Sequence, residues 1–470
     1  RPKRLAPPFP ANHGWRRMIA RLAGLVAPAT AEWDSRPRVV LCGNPRFLDP
    51  ICRELLRRRA RVCWLYDRFA LRSWLRWRTW GVGQLVCDSS EAGPNRLVHR
   101  ASRRIEFRGV DLAGPVNRWM AERLSTHGPR QTRIVEQIDA HFRHVRPKAL
   151  VLDEDATPMA RAAIAIARRH GASSFVVQHG VPGCRFGFAP VAADEILVWG
   201  RSSQNQLTEW GVPPEQIRLA GSPRHQMPHD ARCGHRAMRS SNSASPRVLL
   251  LATTPPRDDR PDAITLHFTR RTYTEMLRAA LSAVSKLPGA RLTVKLHPRA
   301  PHDPIALAVL SEFPSLASRV VHRGPVEECI RRADCVLSCF SSAGIDAALT
   351  GVPVIQLLPI GSGEILPHQA WGMLGTARNQ AELEPLLARA LGNAGWVERG
   401  ETNANAGPNA HVFTDLGASA AARIAEAALA PWQRVEAARA TVEPASGPTE
   451  TAPFRPGRSP VPTVSGWPEP

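Results

Sequence analysis

The sequence predicts an α/β protein built from two doubly wound parallel sheets that face one another across a cleft. Three observations predict it. At 470 residues the chain exceeds what one hydrophobic core holds, since single cores stop growing at roughly 250–300 residues. Short runs rich in Val, Ile and Leu alternate with segments of helical periodicity through both halves, as parallel strands buried on both faces require. A stretch rich in Arg, Ser, His and Met separates the two series, and no short internal repeat competes with this layout. Each half is therefore expected to be Rossmann-like.

In chain order, residues 1–37 form a basic N-terminal segment in which Trp15, Met18, Ile19, Leu22, Leu25 and Val26 recur at helical spacing among Arg16, Arg17 and Arg21. Such a helix either packs on the body of the protein or rests on an anionic membrane surface. Residues 38–224 make the first Rossmann-like domain, the acceptor half. Its strands are expected at Arg38–Gly43, Arg61–Tyr66, Ala149–Asp153, Ser173–Gln178, Glu195–Trp199 and Ile217–Ala220, with helices between them. An Arg- and Trp-rich stretch around Trp74, Trp77 and Trp80 is less regular and reads as core, acceptor groove or membrane contact. Residues 225–246 are the linker. Residues 247–430 make the second Rossmann-like domain, the nucleotide-donor half, with strands at Val248–Ala252, Arg291–Leu296, Val320–His322, Cys335–Phe340 and Val354–Leu358. Residues 431–470 are dominated by Pro, Ser, Thr, Gly and Glu and are expected to be a disordered tail.

Charge narrows the partners without choosing one. There are 62 Lys+Arg against 41 Asp+Glu, a formal net charge of +21, and nearly all the basic residues are Arg. Such a field favours nucleotide phosphates, acidic polysaccharide, anionic lipid or nucleic acid. The basic residues are scattered and form no helix-turn-helix, RNA-recognition or zinc-finger pattern, so no specific nucleic-acid partner is expected. Cys42, Cys63, Cys335 and Cys339 lie in apolar runs without paired His ligands and read as reduced core thiols of a cytoplasmic protein. No run approaches the ~18–20 apolar residues of a membrane span, so any membrane contact would be peripheral, at the inner face.

In open α/β sheets ligands bind beyond the carboxyl ends of strands, so polar residues just past the expected strands carry the most weight. One such set is His297, Pro298 and Arg299, preceded by the rare lysine Lys295. An imidazole there can hydrogen-bond or protonate a phosphate oxygen, or simply shape the loop. Ser341, Ser342 and Gly344 open a helix that contains Asp346, where small hydroxyl residues either bind phosphate or cap the helix. In the first half, His179 and Gly180 follow one strand and Asp153, Glu154 and Asp155 follow another. A desolvated carboxylate in that run can serve as general base, or the run is a surface turn.

These residues form a recognisable order: Gln178-His179-Gly180, Gly221-Ser222-Pro223-Arg224, Lys295-Leu296-His297-Pro298-Arg299, then Ser341-Ser342-Ala343-Gly344-Ile345-Asp346 with Gly351-Val352-Pro353. From about Leu150 to Leu358 the pattern resembles the GT-B superfamily of bacterial surface-polymer transferases, in two branches. One holds the CDP-glycerol glycerophosphotransferases of teichoic-acid type, the other the sialyl-, polysialyl- and Kdo-type transferases of capsule synthesis. The first branch implies that His179 deprotonates the acceptor and that His297 binds the donor phosphates. The second implies that the base comes from Asp153, Glu154 or Asp155, that His297 protonates the departing nucleotide, and that Ser341 and Ser342 hold its phosphate. Here Ala156 stands where the second branch has Gly. Either branch implies a nucleotide-activated donor, cytidine-based by the resemblance, no cofactor and no metal, and a polysaccharide or lipid-linked acceptor; Lys295, Arg299, Gly344, Asp346, Ser222 and Arg224 complete the donor site.

Two other readings remain open at this level. An enzyme like the UDP-N-acetylglucosamine 2-epimerases shares the two-domain plan and needs no acceptor. A non-catalytic polyanion-binding protein would use the charge alone.

Overall fold

The computed structural model describes residues 36–66, 71–87, 106–107, 109–183, 185, 187–225, 245–256, 268–339, 341–361, 373–392 and 412–440. The expected N-terminal helix, nearly all of the linker and residues 441–470 lie outside them. The chain divides into a compact unit through Pro431 and a terminal unit from Trp432, whose described part is the end of one helix.

The first series runs β1 (Arg38–Cys42), α1 (Pro45–Arg57), β2 (Arg61–Tyr66), α2 (Leu71–Thr79) and β3 (Gly83–Val86). A short antiparallel ribbon, β4 (Glu106–Phe107) and β5 (Val110–Asp111), leads into the long helix α3 (Ala113–Val145). Then come β6 (Ala149–Leu152), α4 (Pro158–Arg169), β7 (Ser173–Val177), β8 (Glu195–Val198), α5 (Arg201–Glu209) and β9 (Ile217–Leu219). The second series runs β10 (Arg247–Leu251), α6 (Arg270–Ser285), β11 (Arg291–Lys295), α7 (Pro304–Ser311), β12 (Ala317–Val321), α8 (Val326–Arg331) and β13 (Cys335–Cys339). It continues through α9 (Ala343–Leu349), β14 (Val354–Leu357), β15 (Gly375–Ala377), α10 (Gln380–Gly392) and α11 (Gly417–Ala440).

Each series makes one parallel sheet, in the orders β3-β2-β1-β6-β7-β8-β9 and β12-β11-β10-β13-β14-β15. The alternation of side chains explains why the strands are apolar throughout. Val39 and Leu41 of β1 pack with α1, while Val40 and Cys42 pack with α3 and α4 on the other face. Val248 and Leu250 of β10 pack under α6, α7 and α10, whereas Leu249 and Leu251 meet α9. Helix starts are fixed locally: Thr157 Oγ1 accepts the Ala160 N–H ahead of Pro158, and Asp303 accepts the Ile305 and Ala306 N–H groups at the start of α7. In both sheets the chain leaves the first strand toward one edge and returns on its other side, so switch points open between β1 and β6 and between β10 and β13.

One reading left open by the sequence is decided here, and one is corrected. Trp77 is not a membrane contact: it is 4% exposed and stacked on Trp64 at 4.1 Å, because α2 buries its one apolar side against β2. Trp80 lies half-buried beneath Arg53 and Arg76, and the Trp74 side chain falls outside the described residues. The last helix runs on to Ala440 instead of stopping near Pro431, so residues 431–440 are helical and not part of a tail. Its Ala-rich face, with Ile424, Ala425, Ala428 and Leu429, packs in one cluster with β1, β2 and α1, so the end of the second series completes the core of the first.

Candidate functional site

At the second switch point, His297 stands two residues beyond β11 and is half-buried. Its Nδ1 accepts the Arg299 backbone N–H at 3.2 Å and lies 3.0 Å from Thr254 Oγ1, in the loop after β10. An acceptor at Nδ1 puts the ring proton on Nε2, so the neutral imidazole presents one N–H donor. Burial, with Arg299 and Lys295 adding to it, pushes the imidazole pKa below its ordinary value and maintains that form. A second ring proton would displace the Arg299 hydrogen bond, so the geometry suits a hydrogen-bond donor to an anionic oxygen.

The other expected donor contacts divide. Lys295 is buried, with Nζ donating to the Leu296 carbonyl at 3.1 Å. Arg299 is exposed at the rim. Ser341 Oγ accepts the Ala343 N–H at 3.3 Å and so takes the capping role at α9, while Ser342 makes no cap hydrogen bond. Gly344 answers to packing: a Cβ there would come within 2.6 Å of Ser338 Oγ on β13. Beside them lies a residue that the sequence reading passed over. Gln356 of β14, paired in register with Ser338, is 1% exposed, and neither amide atom has a hydrogen-bond partner among the described residues.

At the first switch point, Gly43 and Asn44 follow β1 and Asp153 follows β6. Asn44 N donates to Asp153 Oδ2 at 3.0 Å, and Gly43 has a φ of 150° with the Asp153 carboxylate where a Cβ would go. Only glycine lets the two strand ends close in this way. Burial pushes the Asp153 pKa up to about 6, with the Glu154 charge adding and the Asn44 N–H opposing. His179, just past β7, stacks on Phe188 at 4.9 Å, and burial lowers its pKa against the pull of Glu154 and a hydrogen bond with the Asp153 backbone. The structure thus brings His179 and Asp153 together. Asp155 is engaged elsewhere: 3% exposed, its Oδ2 accepts the Ala192 N–H at 2.6 Å and anchors the loop before β8. Glu154 stays half-buried between them. The run also spells Asp-x-Asp, yet among the described residues no three His, Cys, Asp or Glu side chains converge as a metal site requires.

The remaining predicted residues meet each other. Arg224 Nη2 lies 2.9 Å from Asp346 Oδ2, with both side chains 8% exposed, and His225 Nε2 lies 3.2 Å from Asp346 Oδ1. His225 Nδ1 is 2.6 Å from Ser222 Oγ. Trp199 and Phe413 flank the His225 ring, and Gln178 holds Trp199 through two 2.8 Å hydrogen bonds, from the Trp199 backbone N–H and from its Nε1. Gly221 has a φ of 84°, and a Cβ there would overlap the Asp415 carbonyl, so glycine is required on both counts. Ser222, Arg224 and Asp346 therefore join the segment after β9 to the first turn of α9, tying the carboxyl end of one sheet to that of the other. His225, placed in the linker by its sequence context, is part of this joint.

No protein-family model matches the chain, and no curated protein matches it in sequence. Solved structures match in shape. The UDP-GlcNAc 2-epimerase from Methanocaldococcus jannaschii is 12% identical, with 83% of this chain and 99% of that chain covered at a TM-score of 0.51. The UDP-N-acetylglucosamine 2-epimerase from Rickettsia bellii is 13% identical, with 87% and 99% covered at 0.52. The fold is GT-B. At these identities the likeness concerns the path of the chain alone. The Arg224–Asp346 joint ties the carboxyl end of the first sheet, where Asp153 and His179 lie, to that of the second, where His297 and Ser342 lie.

Proposed function

We propose that this protein is a transferase that moves a glycosyl or glycerophosphate group from a nucleotide-activated donor, cytidine-based by the resemblance, to a hydroxyl of a polysaccharide or lipid-linked acceptor. One observation carries the reading: the two crevices are chemically unlike. The first holds a carboxylate whose pKa is pushed up to about 6, near the working pH of a general base. The second holds a neutral imidazole N–H and a hydroxyl with no cap to make, groups suited to an anion.

In the reaction, Asp153 takes the acceptor hydroxyl proton while the acceptor oxygen bonds to the transferred carbon or phosphorus. The bond from that atom to the nucleotide phosphate oxygen breaks, and its electron pair leaves on the nucleotide. His297 Nε2–H and the Ser342 hydroxyl hydrogen-bond the phosphate as charge builds there. His179, neutral and stacked on Phe188, flanks the acceptor and holds Asp153 from the backbone side.

Thermal stabilisation by donor nucleotides tests this. CDP-glycerol or CMP-sialic acid should raise the melting temperature, since a ligand at 100 times its Kd adds about 2.7 kcal/mol. The stabilising donor should then turn over only when an acceptor is present. Stabilisation by UDP-GlcNAc with acceptor-free isomerisation of its sugar would replace this reading with the epimerase one.

A further inference from the structure

On the second sheet a groove of about 130 Å³ lies apart from the strand-end cluster. Its floor is the sheet face on which Leu249, Thr293 and Arg319 stand in one row, as the pairings Leu249↔Thr293 and Thr293↔Arg319 require. Helix α8, with six residues, is too short to cover that face, and Cys329 makes part of the opposite wall. Arg319, Arg323 and Arg332 are exposed along it and make no ion pair among the described residues. Arg247 at the far end is held by Asp334, with two hydrogen bonds of 2.9 and 3.1 Å, and Glu328 is the one acid in the lining. One end of the groove points the same way as the strand-end cluster: Lys295 pairs with Val321, so Arg323 lies past the same sheet end as His297.

We infer that this groove holds the acidic saccharide chain of the acceptor and leads it toward the cleft, an assignment that rests on the proposed transferase reading. Three guanidiniums without an ion pair among the described residues, from Arg319 on β12, Arg323 two residues past its end and Arg332 just past α8, offer anion contacts from separate segments, which matches a polymer that repeats a carboxylate or phosphate better than a single anion. The lining contains no aromatic ring on which bases could stack, which sets a nucleic acid apart from the polymer proposed.

The experiment measures binding of fluorescein-labelled tetragalacturonate by anisotropy, without donor or turnover, so its outcome is independent of whether the transferase reading holds. With a net charge of +21 the control must match charge, so the triple variant Arg319→Gln/Arg323→Gln/Arg332→Gln is compared with Arg118→Gln/Arg161→Gln/Arg201→Gln, three exposed arginines on other surfaces. The groove variant should weaken binding at least about tenfold, since hydrogen bonds to charged groups are the strong ones, with an unchanged melting temperature. The control should change it by less than about twofold, as rim charges away from a site contribute little. Equal losses in the two variants, no loss in either, or no binding to begin with would overturn the assignment. So would equally good competition by maltotetraose or by an eight-residue oligothymidylate.

Discussion

The two switch points share a topology and differ in chemistry. Around the first, a buried carboxylate and a half-buried imidazole lie next to each other, with pKa values pushed toward one another from opposite sides. Around the second, the Asp346 carboxylate is turned into the joint with Arg224 and His225, leaving a neutral His297, small hydroxyls and a Gln356 amide without a partner among the described residues. Under the proposed function, the same βαβ geometry serves proton exchange on one side and retention of an anion on the other. Strand-end placement names where chemistry sits, and the local dielectric and partners decide which chemistry.

The sharpest way to break this contrast is Asp153→Asn, which should lower turnover by about 10²–10⁴-fold, the range for losing a positioned base, while donor-induced stabilisation stays intact. In the wild type, kcat/KM should fall as the pH drops through about 6, and the variant should lack that limb. Stability gives the sign independently. Because the folded-state pKa lies above the ordinary 3.8, the folded protein keeps a proton that the unfolded chain releases, so stability declines as pH rises from about 4 through about 6. The Asn variant should accordingly gain up to about 3 kcal/mol at pH 7 and almost nothing near pH 3.5.

Next in size is Arg224→Ala, which leaves Asp346 as a buried charge beside His225 alone and should destabilise by about 3–5 kcal/mol in denaturant unfolding. The double variant Arg224→Ala/Asp346→Ala should recover part of that loss; full additivity would mean that the pair does not act as a unit. The smallest effect should come from Gln356→Leu. Removing a buried amide that has no partner among the described residues should stabilise the free protein by about 1–3 kcal/mol, while reducing the melting shift given by the donor. Destabilisation would show that Gln356 is satisfied within the fold.

Much of the scaffold was legible because it depends on local apolar runs. Arg61–Tyr66 is a strand with the expected bounds, and Val354–Leu357 differs from expectation by one residue. Strand-end position also located His297, Asp153 and His179. What escaped is set by contacts distant in sequence. Asp155 reads like Asp153 until Ala192, far along the chain, is seen to donate to it. Ser222, Arg224 and Asp346 are polar residues near strand ends, and nothing local says that they meet each other. Gln356 sits in an apolar run, where its lack of partners depends on β13 and α9. The hydrophobic spacing of α11 marked a helix but could not say that its Ala face joins the first core.

The central claim, that the second crevice holds the donor and the first activates the acceptor, is tested most directly by the melting shift that a saturating donor produces in three variants compared with the wild type. The shift should fall sharply in His297→Ala and in Ser341→Ala/Ser342→Ala, and persist in Asp153→Asn, since only a bound ligand raises apparent stability. A shift that survives the first two variants and disappears in Asp153→Asn would contradict the assignment of the two crevices.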